Sequence, residues 1–212
     1  MERALEHTTR KRDAVRILFI LDKAGTKPGS GAPNGSVAVI KAEKRLQALD
    51  FWVRCPDYLA AELLVMHEKA PDEGYLNEAF KVMRGDEPDV RRMHMMRFFF
   101  GAWERIDDSM SHLVSLGLAS VKRVVKPEGT IGRTDFFLLE EGRKLCDQLA
   151  TESSHLAWYR DRAALVALVA GAASGEELKK RQYEQAEYDE ARWGHVIGPI
   201  SARVKKRLDE LK

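Results

Sequence analysis

Four cations, Lys122, Arg123, Lys126 and Arg133, flank the segment Pro127-Glu128-Gly129-Thr130-Ile131-Gly132, a spacing at which the tip of a β-hairpin reaches phosphate oxygens. The same residues equally suit the solvated ends of an ordinary hairpin. Other chemistry has less support. The six histidines, His7, His67, His94, His112, His155 and His195, show neither an HExxH pattern nor paired Cys/His spacing for zinc. Gly25 to Ser36 is glycine-rich, but it follows an expected helix and lacks the Gly-Lys-Ser/Thr end that grips phosphates, so it reads as a connector. Ser109 and Ser111 lie beside His112 without the sharp strand-to-helix elbow that exposes a serine nucleophile. Cys55 and Cys146 carry no signature of an activated thiol, and Cys146 occupies an apolar helical position suited to a small hydrophobe. No enzyme activity, cofactor or metal is expected.

The elements around the four cations set their meaning. Met110, Leu113 and Val114 recur at helical spacing behind Asp107 and Asp108, where carboxylates favour the positive end of the helix dipole. Gly117 is placed to stop that helix in the left-handed conformation. Ala119 to Lys126, rich in valine, predicts a strand; Asp135 to Leu139 predicts its return; Glu140-Glu141-Gly142 opens a helix with Leu145, Cys146 and Leu149 on one face. This order is the outline of a winged helix. The helix in its recognition position contains no lysine or arginine and begins with two aspartates, which would stand against a phosphate backbone at an electrostatic cost. A protein partner is therefore favoured over a DNA reader, with nonspecific DNA contact still open to the wing.

Composition agrees. The excess of 35 basic over 33 acidic residues is only +2, so any DNA contact needs a local patch rather than a global charge. The charged N-terminus and unpaired cysteines suit a reducing cytoplasm. Ala163 to Ala173 is apolar but, at eleven residues, falls short of the roughly twenty that cross a bilayer, so a buried helix is expected and no membrane association.

The expected fold is mainly α with a small β-hairpin, a winged-helix module embedded in a helical protein. Its parts are an N-terminal helical part over 1–95 with a Gly/Pro/Ser loop at 26–36, the winged-helix module over 96–150, and a C-terminal helical extension over 151–212. In the first part, Ala14, Ile17, Leu18 and Leu21 predict a helix ending near Gly25, Val37 to Asp50 an amphipathic helix, and Phe51-Trp52-Val53 a short apolar run closed by Cys55-Pro56. Asp57 is the expected N-cap of a helix bearing Leu59, Leu63 and Met66; a further helix carries Leu76, Ala79, Phe80 and Met83 and closes at Gly85 and Pro88. Arg91, Arg92 and Arg97, interleaved with Met93, His94, Met95 and Met96, suggest a charged helix face with methionines turned inward, and Met96, Phe99, Phe100 and Trp103 an aromatic stripe on the helix leading into the module. Beyond it, Ser153 to Val169 predicts a helix, and Ser174 to Glu177 a capping box opening a charged helix through about Arg192, exposed or bound to a partner. Gly198-Pro199 interrupts it. Ile200, Val204, Leu208 and Leu211 form a narrow seam suited to helix pairing, within the chain or with another.

The succession Val15-Arg16-Ile17-Leu18-Phe19-Ile20-Leu21, Leu49-Asp50-Phe51-Trp52, Leu113-Val114-Ser115-Leu116-Gly117-Leu118, the returning strand and Trp158-Tyr159-Arg160-Asp161-Arg162-Ala163 resembles the middle components of bacterial ABC-three-component systems over residues 13–170. Among these is the small subunit of Lamassu-type phage and plasmid defence. The resemblance implies a non-enzymatic winged-helix subunit that joins an ATPase related to the structural-maintenance-of-chromosomes (SMC) proteins to a separate effector, often a nuclease. It carries over no catalytic residue. The alternative is a winged-helix transcriptional regulator, in which the four cations and a dimerising C-terminal helix bind DNA as a two-fold pair.

Overall fold

The structure, a computed structural model, describes residues 2–85, 95–98 and 101–211. The fold is mainly helical with a small antiparallel sheet. Helix α1 (Glu2–Ala24) runs through its centre, burying Ala14, Ile17, Leu18 and Leu21. A strap over 26–35 leads to β1 (Ser36–Lys41), then α2 (Glu43–Arg54), α3 (Pro56–Lys69) and α4 (Glu73–Arg84). Two short antiparallel strands follow, β2 (Met96–Phe98) and β3 (Gly101–Trp103). Next come α5 (Asp107–Ser115), β4 (Ala119–Val125), β5 (Ile131–Leu139), α6 (Glu140–Glu152) and α7 (Ser154–Ala170). The chain closes with α8 (Gly175–Tyr183), the single turn α9 (Ala186–Asp189) and α10 (Ser201–Glu210).

The main sheet has the order β1-β5-β4, all antiparallel, so a strand from 36–41 lies beside the hairpin and the sheet draws on both the 1–95 and the 96–150 segments. Alternation along the strands places Ala38, Ile40, Ala119, Phe136 and Leu138 on the face that joins the core, where α1 and α5 pack. That core is a single cluster running from Ala14 to Leu208. Within it a charged contact is enclosed: Arg16 donates to Asp50 and Asp13, and Arg54 to Glu104, with Asp50 fully buried. Burial alone would lower the Arg16 pKa, but Asp50 and Asp13 outweigh it and hold the guanidinium above its ordinary value.

Several expectations change. Val37 to Asp50 is not one helix: Val39 and Ile40 pair with Phe137 and Phe136 of β5, and Ala42, at φ 70°, breaks the chain before α2 begins. The apolar Phe51-Trp52-Val53 run is the buried end of α2. Asp57 is not an N-cap; Cys55 holds that position with Pro56 opening α3, while Asp57 turns inward to accept from Tyr58 N, Ile200 N and Ser201 Oγ. The helix expected over 96–103 is a hairpin. Its backbone is satisfied elsewhere, Arg97 N–H donating to His195 and Ile197 N–H to Met95, and Gly101, at φ 107°, packs so closely under Tyr188 that a Cβ would lie 2.7 Å from the phenol oxygen. Trp103 meets Phe98 edge to face at 5.2 Å across it. Phe99 and Phe100 of that stripe, Arg91, Arg92, Met93 and His94, and Pro88 lie outside the described residues. The charged helix after Ser174 divides into α8 and α9 and, instead of lying free, buries Leu178, Gln182 and Tyr188 against α2. The capping box is present, Ser174 and Glu177 each bonding the other's backbone N–H.

Candidate functional site

The helix α5 and the β4–β5 hairpin form the candidate interface. Leu116 and Gly117 end α5 in a Schellman motif: Leu118 N–H donates to Leu113 at 3.0 Å and Gly117 N–H to Val114 at 3.0 Å, which needs the φ of 68° that Gly117 supplies. This sharp stop aims β4 back along the sheet. Ser109, Met110 and Leu113 fix one face of α5 in the core. The opposite face presents Asp107, Asp108, Ser111, Val114 and Leu116 to solvent, Leu116 at 57% exposure. No lysine or arginine lies within α5; Arg105, also exposed, precedes it. On the hairpin Val121, Val125 and Ile131 are exposed as well. Five of the ten large apolar side chains exposed among the described residues thus lie on these adjacent elements.

The four hairpin cations do not form one surface. Cross-strand partners share a face, and Lys122 pairs with Asp135 while Val124 pairs with Arg133, which sets Lys122, Arg133 and Asp135 on the face turned away from α5. Arg123, opposite Thr134, stands on the α5 face. Lys126 lies past the end of β4, 3.7 Å from Glu128. Arg133 donates to Asp135 at 2.9 Å, and Lys122 donates its ammonium to Gly31 O at 2.7 Å. Arg123 is exposed and makes no ion pair among the described residues. The Lys122 bond has a structural consequence. The strap pairs Thr26 with Val39 at the outer edge of β1, so to reach Lys122 on β4 it must cross the sheet face that carries Phe137. Phe137 is buried, though it stands outside the main core cluster.

A cleft of about 920 Å³ opens between the base of the hairpin, the start of α2 and the α7–α8 turn, with Lys41, Lys44, Arg45, Trp103, Arg133 and Glu176 in its wall. Most of its charge is already met. Lys44 pairs with Glu176, which holds that carboxyl below its ordinary range, and Arg45 bonds the carbonyls of Gly171 and Ala173 at the end of α7. Burial lowers the Arg45 pKa. Both cysteines are buried, and burial raises each thiol, Cys146 to about 12, so neither is a thiolate at neutral pH. No cluster of three or more histidine, cysteine, aspartate or glutamate side chains suited to a metal occurs among the described residues, and none of their helices is long and apolar enough to cross a membrane.

The sequence identified the hairpin cations but not the exposed valines and Leu116 beside them. Their signal was present in Val114 and Leu116, which precede the Gly117 stop; the facing of each hairpin residue required the register. No known protein family matches the chain, and neither a curated protein nor a solved structure matches it.

Proposed function

We propose that the chain is a non-catalytic winged-helix subunit that docks on a larger assembly through the α5–hairpin face. The element order supports the winged-helix reading: helix α1, strand β1, helix α2, helix α5, then β4 and β5 in a sheet ordered β1-β5-β4, with 55–106 inserted between the second and third helices of the module. The observation that carries the docking role is the surface of α5. At the position of a recognition helix it offers Asp107, Asp108, Val114 and Leu116, a set that repels phosphate and loses free energy by standing in water. By the resemblance over 13–170, the partner is an SMC-like ATPase of a bacterial anti-phage or anti-plasmid system, and the chain links it to an effector.

The test is to look for an SMC-like ATPase gene beside this one and to co-purify its product with the chain, alongside DNA binding by the isolated chain across a salt series. The reading expects a stable complex and weak DNA binding. A two-fold dimer that shifts its own promoter DNA with a steep salt dependence, lost when Lys122, Arg123, Lys126 and Arg133 are all replaced by alanine, would establish the transcriptional regulator instead.

A further inference from the structure

The strand β4 has β5 on one side and no strand on the other. Which of its backbone groups are left over follows from one bond. Leu139 N–H donates to Leu118 O at 3.0 Å, so residues 118 and 139 are a hydrogen-bonded pair, and in an antiparallel ladder such pairs recur at every second residue. Ser120 and Lys122, opposite Phe137 and Asp135, therefore direct their N–H and C=O groups to β5, and Val121 and Arg123 direct theirs outward. Val121, Lys122 and Arg123 are all exposed, so this edge is open to solvent.

An open edge is a template for another strand. Its side chains specify which. At the centre stand Lys122, whose ammonium donates to the Gly31 carbonyl and makes no ion pair among the described residues, and Arg123, likewise without an ion pair among them. Exposed Val121 lies on one side, and Val124 and Val125 on the other. A second copy of β4 pairing antiparallel about this centre would bring cations against cations, which opposes pairing between copies. A segment with two adjacent carboxylates between aliphatic residues would instead place each acid opposite a cation and each aliphatic opposite a valine.

From this we infer that β4 receives an extended acidic segment of a partner protein as a fourth, antiparallel strand, held by the outward N–H and C=O groups of Val121 and Arg123 and selected by Lys122 and Arg123. The inference rests on the protein-docking reading and gives the chemistry of what docks.

The test uses the full chain and a fluorescent synthetic peptide with the core valine-valine-glutamate-glutamate-valine, compared with one carrying lysine for glutamate. Binding is read by anisotropy and by hydrogen exchange of the β4 amides. The acidic peptide should bind and slow exchange at Val121 and Arg123, and the lysine peptide should bind at least about ten-fold more weakly. Val121→Pro removes an outward donor without costing a ladder bond, so it should fold normally and lose about ten-fold or more in affinity. Arg123→Glu should weaken the acidic peptide and strengthen the lysine one, an exchange that misfolding does not produce. If neither peptide binds, or Val121→Pro binds as wild type does, strand addition is wrong and the two cations are guards against edge pairing. If the ATPase complex forms but survives Val121→Pro and Arg123→Glu unchanged, docking stands and strand addition fails. If the same cations bind DNA and not the acidic peptide, strand addition fails, and if the chain also forms no ATPase complex, the docking reading fails with it.

Discussion

Residues 174–211 and the stretch from Asp107 to Arg133 are both charged segments with a sparse apolar pattern, and the fold covers more of the first than of the second. In the first, Leu178, Tyr188, Ile200, Val204 and Leu208 are buried within the chain, while Trp193, Val196 and Leu211, the last residue of the expected seam, are exposed. The phenol oxygen of Tyr188 accepts from Ala102 N–H, and Asp57 holds the start of α10 through Ile200 N at 2.7 Å. In the second, Val114, Leu116, Val121, Val125 and Ile131 remain in water. A sparse apolar pattern therefore reads alike in both segments, and only the structure shows which of its residues the chain itself covers. The chain covers α8, Tyr188 and most of the α10 seam, and leaves the outer residues of the α5–hairpin face in water.

Substitutions in the two regions should separate stability from association. The largest effect is expected from Tyr188→Ala, which empties a fully buried site among Phe51, Tyr58 and Tyr183 and leaves Ala102 N–H without its acceptor. Urea denaturation should show a loss of about 3–5 kcal/mol. Next, Asp57→Ala strips two acceptor contacts from the start of α10 and should cost about 1–3 kcal/mol, with limited proteolysis cutting first near residues 198–201. Were α10 cut no faster than in wild type, the extension would be held by its apolar seam alone.

A pH series sharpens the same point. Burial raises the Glu62 carboxyl above its ordinary value, against the opposing charge and hydrogen bond of Arg181 from α8. The folded state then holds a proton that the unfolded state has released, so stability should fall as pH rises from the ordinary carboxylate range to the raised value, and stay at the lower level above it. Glu62→Gln should remove that fall, as seen in denaturation midpoints across the series. A stability that instead rises with pH through this window would show that Arg181 dominates. The smallest effect on stability is expected from Val114→Asp with Leu116→Asp, within about 0.5 kcal/mol, because neither side chain is buried.

The order from α5 to α6 was legible because its punctuation is local: the Gly117 stop, the valine-rich strand and the acidic opening of α6 each act within a few residues. The capping box at Ser174 was legible for the same reason. The failures share the opposite cause. Val37 to Lys41 carries no mark distinguishing a strand from a helix face until Phe136 and Phe137 pair with it from about a hundred residues away. The aromatic residues near Trp103 suit a helix stripe until the 194–197 segment claims the backbone of β2. Among the site residues, the hairpin position of the four cations was readable, but their division between two faces depends on the β4–β5 register.

The most direct test of the docking face is a binding titration of the full chain against the SMC-like ATPase proposed as its partner, wild type against the Val114→Asp, Leu116→Asp double variant. Loss of about ten-fold or more in affinity with an unchanged denaturation midpoint is the expected result. Equal affinity for the two proteins would contradict the assignment of α5 as the surface that holds a partner.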